Sequence, residues 1–159
     1  MLEHSKWKLE TFPINVDPMK EYLKQGIVYA YKRDKGFRPI IVINVERLIQ
    51  SKIIDKDLVS MSDYFLDFII NECMVPSKVE NWTCIIDLNN VGLTQIPKSL
   101  LQSMISSMQR NYRGRMFRLY AVNVHWLVRG LWTIAKNMVD EFTLTKMNML
   151  GSDIKSTVT

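Results

Sequence analysis

The sequence predicts one α/β domain, with a mostly parallel sheet and helices packed against it. Two observations support this fold class. Three short apolar segments rich in β-branched residues are typical of central strands, namely residues 40–45, 81–88 and 116–124. Longer segments with apolar residues at every third or fourth position lie between them, and this is helical spacing. Such alternation favours a parallel sheet with right-handed crossovers.

The remaining elements follow from local signals. Residues 26–33 alternate and predict a first strand, which a turn at 34–36 connects to the next. Helices are expected over residues 55–73, 97–111 and 126–142, and a short last strand is expected over 146–150. A leader over residues 1–25 contains a short helix with Asp17 as its N-cap and Gly26 as its stop. The domain itself is assigned to residues 26–151, and a polar tail to residues 152–159.

Composition limits the class of protein. The 159 residues are 47% apolar, which is enough for one sizeable core. No segment has the roughly 20 apolar residues that span a bilayer, and residues 1–10 lack a signal-peptide pattern, so the expected location is cytoplasmic. Cys73 and Cys84 lie in apolar contexts and are expected to be reduced. The net charge of +5 indicates either a solvated basic surface or an anionic partner.

Catalytic and cofactor motifs are missing from the sequence. There is no G-x-G-x-x-G, no Walker loop and no G-x-S-x-G elbow. No C-x-x-C pair or Cys/His cluster predicts a metal site. His125 follows a predicted strand, where a structural role at the start of the next helix is favoured over catalysis. We therefore predict no catalytic residue, no metal and no cofactor.

The segment 126–142 is apolar on most sides, although a surface helix normally has one polar face. Two interpretations remain open. The helix is either buried beneath a partner segment or covers an apolar ligand cavity. The four tryptophans and ten methionines of the chain suit an adaptable pocket wall, although core filling also explains them.

Several segments in order resemble the CRAL-TRIO lipid-binding family, which includes the yeast-type phosphatidylinositol-transfer proteins. Residues 34–40 look like its opening D-x-x-G-R-P-V signature, with Phe37 interpreted as an insertion between Gly36 and Arg38. Residues 85–93 are similar to the family's strand that ends in an aspartate, here Asp87, and is followed by a glycine.

The later segments are the most specific part of the resemblance. Residues 111–116 resemble the tyrosine-rich turn before the fourth strand, and residues 120–126 resemble I-N-A-P-[WF]. Trp132 stands where the family has an aromatic residue in its gate helix. Residues 140–147 match D-x-x-T-x-x-K-I, and the resemblance covers residues 27–151 in total.

The resemblance implies a three-layer α/β fold with an apolar cavity. The sheet would form its floor, and a gate helix over residues 126–140 would cover it. The expected ligand contacts are Ile41, Ile43, Ile86, Leu119, Ala121, Trp126, Trp132, Met138, Thr143 and Lys146. Contacts to a membrane or a lipid headgroup are expected from Arg113, Arg115 and Arg118.

Three departures from the family pattern limit this prediction. His125 replaces a proline, and Gly114 takes the place of the acidic residue that acts with the Thr and Lys of T-x-x-K in inositol-binding members. The family's last helix and its L-P-x-x-x-G-G strand are absent after Gly151. The inositol headgroup is therefore not assigned.

The functional prediction is non-catalytic binding, or transfer between membranes, of a lipid or another hydrophobic small molecule. It includes transient peripheral contact with an anionic membrane. The alternative is a protein-interaction or regulatory module that has a protein partner and transfers no lipid. Nucleic acid is not an expected partner, since the basic residues are not interleaved with an aromatic stacking platform.

Overall fold

The computed structural model describes residues 2–92, 95–125 and 129–151. A five-stranded sheet lies at its centre, and the strands are side by side in sequence order. They are β1 (Val28–Arg33), β2 (Pro39–Asn44), β3 (Trp82–Asp87), β4 (Met116–Val122) and β5 (Met147–Met149). The first strand pairs antiparallel with β2, and the other pairs are parallel. The predicted mostly parallel sheet with flanking helices is confirmed.

Helices precede the sheet and connect its strands. They are α1 (Leu2–Thr11), α2 (Lys20–Lys24), α3 (Val45–Ser51), α4 (Asp55–Phe68), α5 (Lys98–Asn111), α6 (Arg129–Lys136) and α7 (Glu141–Leu144). A wider helical turn over Ile69–Cys73 continues α4. Among the described residues, no helix has both the length and the apolar character needed to cross a membrane.

The predicted elements differ from the structure at two connections. The apolar run 40–45 was expected to be strand throughout, but Val45 opens α3, which was not predicted. Asn44 sets this boundary because its side chain accepts a hydrogen bond of 2.9 Å from the Arg47 N–H, as an N-cap does. The single helix expected over 126–142 was also wrong, since α6 ends at Lys136 and α7 begins at Glu141.

The short helix of the leader forms with a different start. Asp17 belongs to a 3₁₀ turn, Asp17–Met19, that leads into α2, and the residue before that turn is Val16. The Asp17 carboxylate lies 2.6 Å from the Lys20 ammonium group instead of capping a helix. Gly26 ends the segment as predicted, with a φ of 68° that glycine adopts without steric cost.

The main core lies between the sheet and α4. Ile41 and Trp82 of the sheet are buried against Phe65 and Ile69 of the helical layer. Fully burying an apolar side chain of this size contributes about 1.5–3 kcal/mol. Both cysteines are free thiols, as predicted, and burial raises the pKa of Cys84 to about 12.

The leader packs into this body of the protein. Met19 is buried in a second cluster that includes Ile27, Leu58 and Met61. From α1, Trp7 places its ring at right angles to that of Tyr112, with 5.8 Å between the ring centroids. Residues 152–159, the predicted tail, lie outside the described residues.

The turn between β1 and β2 explains the unusual position of Phe37. The Asp34 N–H donates to the Arg38 carbonyl at 2.9 Å, and the Phe37 N–H donates to the Asp34 carbonyl at 3.0 Å. In this closed three-residue loop, Phe37 has a φ of 61°, the left-handed conformation that such loops normally give to glycine. Phe37 therefore takes the place of the glycine in D-x-x-G-R-P-V, and its interpretation as an insertion was wrong.

Candidate functional site

The sheet residues expected to contact a ligand share one face. Ile41 and Leu119 both pair with Cys84, and Ile86 pairs with Ile43 on one side and with Ala121 on the other. These residues form two rows across β2, β3 and β4, because side chains two positions apart point to the same side of a strand. The α4 helix packs on this face of the sheet.

The helices bury some residues on this face of the sheet more completely than others. Ile41 is only 2% exposed and belongs to the core beneath α4. Ile43, Ile86 and Leu119 are half-buried at the margin of that core, and Ala121 is buried. Sequence reasoning missed Met147 and Met149, which pair with Leu119 and Ala121 and are half-buried as well. The part of the face near β3–β5 therefore keeps apolar surface that the helices do not fully cover.

The predicted gate segment has one sheltered side. Trp132, Ile134 and Ala135 are half-buried, whereas Thr133 and Lys136 are exposed. Met138 is half-buried in the turn that follows α6. Lys136 is thus exposed as expected, and Thr133 adds a second polar position on the outer side of α6. Trp126, Leu127 and Val128 lie outside the described residues, and so do the side chains of Arg129 and Leu131.

Thr143 takes part in the cap of α7. The Asp140 carboxylate accepts hydrogen bonds from the Thr143 N–H at 2.9 Å and from its hydroxyl at 2.7 Å. The side-chain amide of Gln109 donates to the same carboxylate at 3.2 Å, which links this turn to α5. The hydrogen bonds from Thr143, its hydroxyl first, lower the pKa of Asp140. The Thr143 hydroxyl is thus engaged within the protein.

Lys146 lies beside the start of β4. Its ammonium group donates to the Met116 carbonyl at 3.0 Å and lies 4.3 Å from the centre of the Phe142 ring. Gly114, two residues before Met116, has a φ of 80°, and a Cβ placed there would meet no atom within 4 Å. The Thr and Lys of the T-x-x-K element are present, but the open position at Gly114 supplies no carboxylate.

Two of the three predicted arginine contacts also make hydrogen bonds within the fold. Arg115 donates to the Glu80 carbonyl at 3.0 Å, and Arg118 donates to the Thr145 carbonyl at 3.0 Å. Arg113 is exposed. All three precede or begin β4, so their positive charges lie at the edge of the sheet where that strand starts.

Two acidic groups elsewhere have well-defined partners. The Asp87 carboxylate at the end of β3 accepts a hydrogen bond of 2.8 Å from the Asn123 amide, which joins two of the segments that carry the resemblance. Asp63 of α4 is buried and accepts a hydrogen bond of 3.0 Å from the Tyr112 hydroxyl. Burial raises the pKa of both Asp63 and Tyr112. In the described ranges, no group of three or more His, Cys, Asp or Glu residues is placed to hold a metal ion.

Comparison with known proteins identifies the family. The family model for the CRAL/TRIO domain matches residues 23–159. The chain belongs to the CRAL/TRIO domain family. The crystal structure of Sfh5 has a similar fold, with a TM-score of 0.76 and 17% sequence identity over 91% of this chain and 56% of that chain.

Among curated CRAL/TRIO relatives, the Sec14 cytosolic factor of Schizosaccharomyces pombe is 34% identical over 80 residues, which are 49% of this chain and 28% of that protein. The phosphatidylinositol/phosphatidylcholine transfer protein SFH12 of Arabidopsis thaliana is 23% identical over 158 residues, which cover 89% of this chain and 28% of that protein. The SEC14 cytosolic factor of Yarrowia lipolytica is 26% identical over 149 residues, which cover 86% of this chain and 30% of that protein. The chain therefore spans less than a third of the length of these relatives.

Proposed function

We propose that this CRAL/TRIO domain binds one phospholipid without chemical change and exchanges it with membranes. The observation that carries the proposal is the row formed by Ile43, Ile86 and Ala121, with Leu119 beside it, on a sheet face that the helices cover incompletely. Three relatives from Arabidopsis thaliana are named as phosphatidylinositol/phosphatidylcholine transfer proteins, which supports a phospholipid as the ligand.

The lipid tails would lie between this row and the sheltered side of α6. Trp132 is half-buried on that side, and a right-handed crossover from β4 to β5 would place α6 on the same face as α4 and α5. The hydrogen bond from Gln109 of α5 to Asp140 agrees with this placement. Binding would be driven by apolar burial, at roughly 25 cal/mol for each Å² removed from water, and release would require α6 to move.

The residues at the positions where the family binds an inositol headgroup favour phosphatidylcholine over phosphatidylinositol as the ligand. Thr143 is hydrogen-bonded to Asp140 and Lys146 to a backbone carbonyl, so neither group is held ready for an inositol ring. Gly114 offers no carboxylate to accept hydrogen bonds from inositol hydroxyls. We assign no catalytic role to any residue, and we place the protein in the cytoplasm with transient membrane contact.

The test is solvent extraction of protein purified from eukaryotic cells, followed by mass spectrometry of the extract. Wild-type protein should carry close to one phospholipid per chain, and Trp132→Asp should lose it. Ile86→Asn and Ile85→Asn form a matched pair, since both residues are half-buried neighbours on β3 whose side chains point to opposite faces. Loss of lipid from the Ile86 variant alone is the expected result. Loss from the Ile85 variant alone would place the ligand on the other face and refute this assignment.

A protein-interaction module is the second candidate function. It is favoured by the same engagement of Thr143 and Lys146 within the fold, together with the missing carboxylate at position 114. A wild-type extract without lipid, from protein that also fails to take up labelled phospholipid from vesicles, would decide for this candidate.

A further inference from the structure

Four segments of the chain meet at one edge of the sheet. Strands β2 to β5 are parallel, so the residues just before them lie side by side. The turn that leads into β2 also receives the end of β1. We call the surface formed by residues 32–38, 78–81, 113–118 and 140–146 the amino edge.

The amino edge carries the net charge of the protein. The whole chain has 21 basic and 16 acidic residues. The four segments contain nine of the basic residues and four of the acidic ones, which leaves twelve of each kind elsewhere in the chain. The basic residues are Lys32, Arg33, Lys35, Arg38, Lys78, Arg113, Arg115, Arg118 and Lys146.

Three of the four acidic residues at the amino edge already have partners. Asp34 accepts hydrogen bonds from the N–H groups of Gly36 and Arg38. Glu80 accepts a hydrogen bond from the Ser77 N–H, and Asp140 caps α7. Asp34 also lies 3.5 Å from the Arg38 guanidinium. The nine basic and four acidic residues leave the amino edge with a net charge of +5, which gives this surface a positive field.

Large aromatic side chains are exposed among these charges. Phe37 is 71% exposed, Phe142 is 69% exposed and Phe117 is 36% exposed. The Arg38 guanidinium lies 3.6 Å from the centre of the Phe117 ring, and Lys146 lies over the Phe142 ring. Cations thus lie against two of the three exposed rings.

Neither the backbone conformation nor the packing of Phe37 explains an aromatic side chain at this position. Its left-handed backbone is costly for a bulky residue and is natural for glycine or asparagine. Its side chain projects into solvent from a loop that hydrogen bonds of Asp34 hold rigid. A strained and exposed aromatic residue on a rigid support is better explained by a binding role than by packing.

We propose that the amino edge docks on anionic membranes, with Phe37, Phe117 and Phe142 entering the interface between headgroups and acyl chains. The basic side chains would lie at the level of the lipid phosphates, where each contributes to attraction. A nucleic acid fits less well, because Phe37 belongs to a loop and Phe142 to α7, whereas a stacking platform normally presents its rings from one strand face. The proposal deepens the proposed function by placing the membrane contact, but docking itself requires no bound lipid.

The test is flotation of the full chain with vesicles of equimolar phosphatidylcholine and phosphatidylserine, compared with vesicles of phosphatidylcholine alone. We expect binding only to the anionic vesicles, weakened about tenfold by Phe37→Asn and at least about tenfold by Arg113→Glu. The matched controls are Ile54→Asn and Lys56→Glu at the start of α4, since Ile54 is 61% exposed and Lys56 is exposed. Neither control should alter binding.

A second measurement separates docking from folding and from lipid content. Asparagine suits the backbone at position 37, so the melting temperature of Phe37→Asn should be equal to that of the wild type or higher. The variant should also keep its extracted lipid, which distinguishes failure of docking from failure of the proposed function. The proposal is overturned if the wild-type protein does not bind anionic vesicles, or if the control substitutions weaken binding as much as the test substitutions do. It is also overturned if Arg113→Glu weakens binding to duplex DNA and leaves binding to anionic vesicles unchanged.

Discussion

At the residue scale, Asp63 places a carboxyl group inside the core. The hydroxyl of Tyr112 donates to it, and the rings of Trp7 and Trp82 pack around that tyrosine. Burial raises the pKa of Asp63 above 3.8, and hydrogen bonds from Tyr112 and Ser107 only partly oppose this. The folded protein therefore binds this proton more readily than the unfolded chain, and stability falls as the pH rises above 3.8 towards the raised pKa.

Asp63→Asn should consequently stabilise the protein at neutral pH. Asparagine keeps an oxygen that accepts the Tyr112 hydrogen bond and removes the buried charge. We expect the free energy of unfolding to rise by about 1 kcal/mol at pH 7. The variant should also lose the part of the decline in stability above about pH 4 that the raised pKa of Asp63 causes. Urea denaturation across this range measures both effects.

Tyr112→Phe is the complementary variant, because it removes the Tyr112 hydroxyl from the buried Asp63 carboxyl and leaves Ser107 as the remaining side-chain donor. It should lower the free energy of unfolding by about 1–3 kcal/mol. An Asp63→Asn variant that is less stable than the wild type at neutral pH would show that the carboxylate is favourable in its site, contrary to this account.

The sequence could predict which residues share a face of the sheet. It could not predict which of them a helix buries. Alternation along a strand places Ile41 and Ile43 on one face, whereas Ile86 of the next strand joined them only through the resemblance to the family. Whether α4 covers a given residue depends on helix placement, so Ile41 lies in the core while Ile86 stays half-exposed at its margin. The fold contacts of Arg115 and Arg118 are with backbone carbonyls of distant segments, which no local pattern encodes.

At the element scale, the start of α4 lacks a cap. The N-cap residue is Ile54, which makes no side-chain hydrogen bond to the first turn and is largely exposed. Ile54→Asn supplies an oxygen for one of the free N–H groups and should raise the free energy of unfolding by about 1 kcal/mol. The urea midpoint measures this, and an unchanged or lower midpoint would contradict the expectation.

Trp7 makes the apolar contact of α1 with the body, and Lys8 of the same helix lies 3.7 Å from the Asp67 carboxylate of α4. Trp7 packs edge-on against Tyr112 and Phe12, whereas Leu9 on the same helix is 83% exposed. We expect Trp7→Ala to lower the free energy of unfolding by about 2 kcal/mol and to speed amide exchange throughout α1.

Leu9→Ala is the matched control for Trp7, and it should change stability by less than about 0.5 kcal/mol. Equal and small effects of both substitutions would mean that α1 adds nothing to the stability of the fold.

Helix boundaries were predictable where a breaker or an amphipathic period is strong. The spacing of apolar residues predicted α4, and the proline at position 97 marked the start of α5. The break between α6 and α7 was missed, because apolar residues continue through it and the signal lies in Asp140, whose side chain caps the next turn. Short polar caps of this kind carry little weight in a pattern dominated by apolar residues.

At the scale of the whole molecule, strand order was predictable and charge distribution was not. Successive strands joined by helical connections normally lie near each other, and all five do so here. The charges at the amino edge come from segments more than a hundred residues apart, so the basic runs at 32–38 and 113–118 are visible along the chain but their proximity is not. Parallel pairing then brings the four segments to the same edge.

The central claim is that the face bearing Ile43, Ile86 and Ala121 holds a phospholipid. The most direct measurement is the uptake of fluorescent phosphatidylcholine from donor vesicles, with unlabelled phosphatidylcholine or phosphatidylinositol as competitor. We expect saturation near one lipid per chain, loss of uptake in Ile86→Asn but not in Ile85→Asn, and stronger competition by phosphatidylcholine. Absence of uptake by the wild type, or equal loss in the two variants, would contradict the claim.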